Sequence, residues 1–197
     1  MKQGIVQLVM ATAIGAAATM SGAADDENVL VIEVAGATTG TVEVELLPEH
    51  APNHVSRIKY LASGGQYDNV VFHRVIEGFM AQTGDVKFGV RGGNDGSLAG
   101  RGGSAEPNLE AEFSNVPYTR GVVGMARAAH PDSANSQFFI MFADAPHLNG
   151  QYTVFGRVIS GMDVVDQIKK GNSAKGGAVS DPDYMSQVYI KSSGPRR

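Results

Sequence analysis

Between Asn69 and Asp85 the chain reads Asn-Val-Val-Phe-His-Arg-Val-Ile-Glu-Gly-Phe-Met-Ala-Gln-Thr-Gly-Asp, and this stretch constrains the fold more than any other. Val70 to Ile76 has the pattern of a short strand, Glu77-Gly78 is a tight turn, and Phe79 to Gln82 resumes as a second strand before the Gly84-Asp85 break. Alternation predicts Phe72, Arg74 and Ile76 on one face, with Val71, His73 and Val75 on the other. A guanidinium then stands among apolar neighbours. Such a group needs an internal carboxylate, a ligand carbonyl or amide to meet it, or a strand end from which its stem can reach water.

The frame around this stretch is that of a single globular domain: 197 residues, 43% hydrophobic and 18% charged. A net charge of −4 with no run of like charges gives no basic footprint, so nucleic acid is not an expected partner. The absence of cysteine excludes disulfides, thiolate nucleophiles and cysteine-based zinc sites. At the N-terminus, Met1-Lys2-Gln3 precedes an apolar run from Gly4 to Ala18, and Ser21-Gly22-Ala23-Ala24 supplies small residues for cleavage. Residues 1–24 therefore read as a secretory signal peptide, cut near Ala23 or Ala24, with residues 25–197 as the mature domain. The apolar run is too short for a good membrane span, and a soluble exported protein, placed in the periplasm, is expected.

In chain order, Val29 to Val34 and Thr41 to Leu46 form a hairpin with Val42, Val44 and Leu46 inward. Pro52 opens a helix with Val55, Ile58, Leu61 and Ala62 on one stripe, closed by Gly64-Gly65. Glycines from Gly89 to Gly103 make a long loop. It lacks a Gly-Lys-Ser/Thr ending and a βαβ setting, so it reads as a surface loop whose backbone approaches something closely. Strands follow at Tyr118 to Ala126, Gln137 to Phe142 and Tyr152 to Val158. In the second of these, either both faces are buried or one lines a pocket. Ser160 to Asp163 has the form of a capping box opening a helix from Asp163 to Lys170. Gln187 to Lys191 closes the fold, and the residues from Ser192 onward are expected to fray. Many short strands with two helices point to a mainly β barrel, because closure removes exposed edges.

The strings Phe72-His73-Arg74-Val75-Ile76-Glu77-Gly78-Phe79-Met80-Ala81-Gln82-Thr83-Gly84-Asp85, Gly124-Met125-Ala126-Arg127-Ala128, Asn135-Ser136-Gln137-Phe138-Phe139-Ile140 and Tyr152 to Val158 together resemble the cyclophilin family of peptidyl-prolyl cis/trans isomerases, from Val29 to about Lys191. With the export signal, the likeness is greatest to the periplasmic bacterial branch. The resemblance implies a closed eight-stranded antiparallel β-barrel capped by two α-helices, no cofactor and no metal. It also implies a groove on the outer surface that takes proline-containing unfolded or partly folded polypeptides. Carried residue by residue, Arg74 matches the catalytic arginine, and Phe79, Met80, Phe139 and Leu148 match the walls of the proline pocket. Gln82 and Gln137 match polar groups beside the substrate backbone. Ala126, Arg127 and Ala128 match the adjoining wall, and Gly100 matches the glycine loop near a second pocket.

The chain departs from the family pattern at the groove. Arg127 stands where many members have Asn, which bears on sequence preference more than on catalysis. His147 takes the place of a tryptophan found in cyclosporin-sensitive members, so weak or no cyclosporin binding is expected. Tyr152 replaces a frequent His, and its ring can still pack on proline. A monomer is expected. His73 has no second ligand at metal spacing and reads as a hydrogen-bonded structural histidine, while His50, His54 and His130 are assigned to loops or exposed helix. The other reading of the whole is an exported peptide-binding chaperone that uses the same groove without catalysis. Arg74 argues against it, since binding alone does not require that donor. A lipocalin-like barrel is disfavoured by sequence features that imply a filled interior.

Overall fold

The fold is built from short antiparallel strands whose inward residues alternate. A computed structural model describes residues 25–93 and 96–196, so the expected signal peptide lies outside the described residues. Strands β1 (Val29–Ala35) and β2 (Gly40–Leu46) pair as the expected hairpin, and Val42, Val44 and Leu46 are buried. Helix α1 (Pro52–Ser63) carries Pro at its first turn and buries Val55, Ile58, Leu61 and Ala62. Then come β3 (Val70–Val71), β4 (Arg74–Ile76), β5 (Met80–Thr83), β6 (Val122–Met125), β7 (Phe138–Met141), β8 (Val154–Ser160), helix α2 (Met162–Gln167) and β9 (Tyr184–Ile190).

These strands form one nine-stranded sheet in the order β3-β9-β1-β2-β8-β6-β7-β5-β4, a half-barrel with two helices rather than a closed eight-stranded ring. The difference arises at Phe72 and His73, which interrupt the single strand expected from Val70 to Ile76 and leave β3 and β4 at opposite ends of the order. Core positions run Val70, Phe72 and then Val75, so the inward register slips by one residue across the break. Such a slip turns the following side chains to the other face. Phe72 therefore does not share a face with Arg74 and Ile76 as alternation predicted: it is in the core, and they are outside it.

Tyr67, Phe72, Phe138 and Phe155 fill the interior, with Tyr67 and Phe155 each packing edge-on against Phe138. A second cluster lies on the outer side of the sheet, where Met80, Tyr118, Phe139, Met141 and Leu148 pack together. Strand β7 thus has both faces covered, Phe138 and Ile140 inward, Phe139 and Met141 outward.

Helix α2 differs from expectation at both ends. Its N-cap is Gly161, at φ 81° with no side-chain cap, and Ser160 is taken up in β8 opposite Glu43. A Cβ at Gly161 would come within 2.9 Å of the Val42 Cα, so close packing on β2 decides this turn. The helix stops at Gln167 because Ile168 turns extended into the core and the Lys169 amide donates to the buried Asp183 carboxylate at 2.9 Å. The C-terminal segment is anchored rather than frayed. The Arg196 guanidinium donates to the carbonyls of Ala62 and Val188 and to Asp68, tying the tail to the end of α1.

Replacing Phe155 by Ala should cost about 3–5 kcal/mol, the range for emptying a buried aromatic site. Urea unfolding of the two proteins measures the difference, and a change under about 1 kcal/mol would mean that the interior can collapse onto the vacancy.

Candidate active site

Arg74 opens β4 and pairs with Gln82 on β5, which in turn lies opposite Phe139 on β7. Three strands therefore bring an arginine, a glutamine and an aromatic ring into one row on the outer face. The guanidinium is held by Nε donating to the Gly176 carbonyl at 2.9 Å and by Nη1 donating to Gln82 Oε1 at 3.2 Å. Nη1 also approaches Met80 Sδ at 3.9 Å, and Nη2 makes no hydrogen bond within the described residues. No carboxylate among the described residues pairs with it, so the internal partner that sequence allowed is not used there. Neutral acceptors orient the cation and leave donors available to a ligand.

The orientation continues along a chain. Gln82 Nε2 donates to Gln137 Oε1 at 3.0 Å, and Gln137 Nε2 donates to the Gly102 carbonyl at 2.8 Å. Arg74, Phe79, Met80, Gln82, Ala126, Arg127, Phe139, Leu148 and Tyr152 surround a hollow of about 190 Å³. Tyr118 braces the wall from behind by stacking on Phe139 at 5.8 Å, and Tyr152, itself part of the wall, meets Phe139 edge-on at 5.9 Å. His147 lines no part of the hollow and instead stacks on Phe79 with ring centroids 5.9 Å apart. Arg127 lies 4.5 Å from the Tyr152 ring, and its donors are engaged by the carbonyls of Ala128, Ala129 and Gln151.

Gly100, Ala128 and Gln137 border a neighbouring chamber of about 490 Å³, which shares Gln82, Ala126 and Arg127 with the hollow. The glycine loop expected to approach something closely folds over Asp85. This buried carboxylate accepts from the backbone amides of Lys87, Phe88, Gly100 and Gly102 at 2.8–3.0 Å. A Cβ at Gly102 would collide with the Asp85 carboxylate and come within 2.8 Å of Lys87 Cβ. Charge-assisted bonds to four amides hold a loop with little side-chain bulk in one place.

Two histidines differ from their assignments. His73 has both ring nitrogens buried without a well-formed hydrogen bond among the described residues, although the Val71 backbone and the Gln137 side chain lie nearby, and Gly100 packs close to its ring. His54 is buried rather than exposed, with Nδ1 2.6 Å from Glu112 Oε2 and Nε2 unpartnered. Glu112 also accepts from the amides of Asn53 and His54, supplying the acceptor that Ala51 does not provide at the start of α1. The Glu112 amide donates to Thr153 Oγ1 at 2.9 Å, beside Tyr152. These partners are remote in sequence, and no periodicity marks them. The same holds for Gly176 behind Arg74 and for Tyr118 behind Phe139.

Comparison with known proteins agrees with this fold. The family described as cyclophilin type peptidyl-prolyl cis-trans isomerase/CLD matches residues 29–193. A probable peptidyl-prolyl cis-trans isomerase of Brucella suis is 56% identical over 183 residues, covering 92% of this chain and 91% of its own length. The human peptidyl-prolyl cis-trans isomerase-like 3 is 38% identical over 66% of this chain and 77% of its own. Among solved structures, a Cryptosporidium parvum cyclophilin type peptidyl-prolyl cis-trans isomerase determined in the presence of the dipeptide Ala-Pro has a TM-score of 0.69 at 26% identity, covering 82% of this chain and 98% of its own. A cyclophilin from Hirschia baltica gives the same TM-score and identity over 84% of this chain and 74% of its own. The chain belongs to the cyclophilin-type peptidyl-prolyl cis/trans isomerases, and its enzyme class is that of the family.

Burial lowers the pKa of His54 below 6.5, with the Glu112 hydrogen bond pulling the other way. Burial likewise lowers His73, opposed by the nearby Asp85 charge. In the unfolded chain both protonate near pH 6.5; in the fold they do so only at lower pH, so below 6.5 the unfolded state binds more protons. Stability should be full above pH 6.5 and fall as the pH drops from there toward the folded-state values. The urea midpoint at about pH 5.5 should lie below that at about pH 7.5, and equal midpoints would refute the assignment of both rings as neutral in the fold.

Proposed function

We propose that Arg74 is the catalytic group of this isomerase, that the hollow bounded by Phe79, Met80, Phe139, Leu148 and Tyr152 holds the proline ring, and that the enzyme acts on exported polypeptides as they fold. The observation that carries the catalytic part is the Arg74 guanidinium, oriented by Gly176 and Gln82 at the rim of a hollow of about 190 Å³ with Nη2 unengaged by the described residues. Rotation about an X-Pro bond must break amide resonance against a barrier of about 20 kcal/mol. As the bond twists, the prolyl nitrogen loses conjugation, pyramidalises and becomes a better acceptor. A donor fixed beside it binds the twisted state more tightly than either planar isomer, which lowers the barrier without a covalent step.

One charge-assisted hydrogen bond contributes roughly 1.5–3 kcal/mol, whereas a ~10⁵-fold acceleration needs about 7. The remainder comes from holding the ring against Phe79, Met80 and Phe139 while the acyl side turns, with partial loss of water. Gln82 and Gln137 orient the arginine and meet substrate amides. Ala126, Arg127 and Ala128 form the adjoining wall.

The export part rests on the composition of residues 1–24, which supports cleavage of a signal peptide and a periplasmic location. The larger chamber next to the hollow favours one other reading, a peptide-holding chaperone whose groove retains chains without accelerating them.

Arg74→Ala should slow cis/trans exchange of an Ala-Pro peptide by about 10- to 100-fold, with the urea midpoint nearly unchanged. Exchange at the wild-type rate would refute the role of Arg74, and binding without acceleration by the wild type would mark a holding module. In cells, the exported protein should begin at Ala24 or Asp25 on N-terminal sequencing, and an intact Met1 start would refute export by cleavage.

A further inference from the structure

The chamber beside the proline hollow has a charge opposite to that of the whole molecule. The chain carries a net charge of −4, yet the charged side chains that line this chamber of about 490 Å³ are Lys87, Arg101 and Arg127. Arg127 is engaged by loop carbonyls and the Tyr152 ring. Lys87 and Arg101 are exposed and form no ion pair among the described residues. Lys87 Nζ rests 4.8 Å from the Phe88 ring centroid, a contact that keeps its charge at the chamber wall. Asp85, the carboxylate beneath the floor, is buried and saturated by four backbone amides, so it is not available to either cation.

Two cations without carboxylate partners among the described residues, set in a concave recess, concentrate positive potential where a bound chain must pass. We propose that this chamber selects polypeptides carrying aspartate or glutamate within about three residues of the proline, a span of roughly 10 Å in extended chain, with Lys87 and Arg101 reading the carboxylate. A lysine at the same substrate position meets like charge, so discrimination comes from repulsion as well as attraction. This inference rests on the assignment of the neighbouring hollow to proline.

The test is a set of Ala-Pro peptides with Asp, Ala or Lys stepped through the three positions on each side of the proline, assayed for exchange catalysis by the mature protein. At the best position the Asp-to-Lys ratio of kcat/KM should be about fivefold at low salt and approach unity near 0.5 M salt, as expected for screened pairs. In a Lys87→Glu/Arg101→Glu variant the ratio should invert; being internal to each protein, it is insensitive to any general loss of activity. A wild-type ratio near unity at every position, or a preference for Asp that survives the double reversal, overturns the proposal. If no peptide is turned over, the isomerase assignment has failed instead. The dissociation constants of the same peptides, measured by fluorescence anisotropy, then decide the chamber by the same ratio and the same inversion.

Discussion

The site depends on a one-residue slip in the inward register between Phe72 and Val75. Had the strand run unbroken from Val70 to Ile76, Phe72 and Arg74 would share a face, and burying one would bury the other. The break at Phe72-His73 lets Phe72 close the core while Arg74 turns outward toward Gln82 and the Gly176 carbonyl. The same break separates β3 from β4 and makes the sheet a nine-stranded half-barrel. Fold and chemistry therefore share one local irregularity, and the packing that enforces it is the insertion of Phe72 among the core side chains.

Everything else around the groove limits how far its groups can move. The polar chain from Arg74 through Gln82 and Gln137 to Gly102 joins two strands and the glycine loop, so a shift in any of these changes the direction of the guanidinium. Asp85 serves the loop as a buried anchor, and the glycines are needed because their backbone, not their side chains, must reach it. Behind the aromatic wall Tyr118 braces Phe139, and Tyr152 meets Phe139 edge-on within the wall itself, which limits how far the hollow can collapse. Preorganisation of this kind puts the cost of order into folding rather than into each catalytic event.

Polar groups remote in sequence connect the frame to the site. Glu112 caps the start of α1, meets His54 and reaches Thr153 through its own amide, so the loop from 108 to 116 joins the helix to the wall that carries Tyr152. Arg196 does the same for the tail, where local composition suggested a loose end. Both cases follow one physical rule: buried backbone carbonyls and amides at element ends must find partners, and the partner can come from anywhere in the chain.

By itself the sequence determined the inward faces of β2 and α1, because alternation and helical spacing are properties of consecutive residues and burial follows them. It also carried the family likeness, since Phe72 to Asp85, Asn135 to Ile140 and Tyr152 to Val158 are continuous strings. The slip after Phe72, the glycine cap of α2, the buried state of His54 and the unpartnered ring of His73 were decided only in three dimensions. The last three depend on what a distant segment places beside each: Val42 against Gly161, Glu112 against His54, Gly100 against His73. Local pattern records which face a residue prefers; only packing decides which partner it meets there.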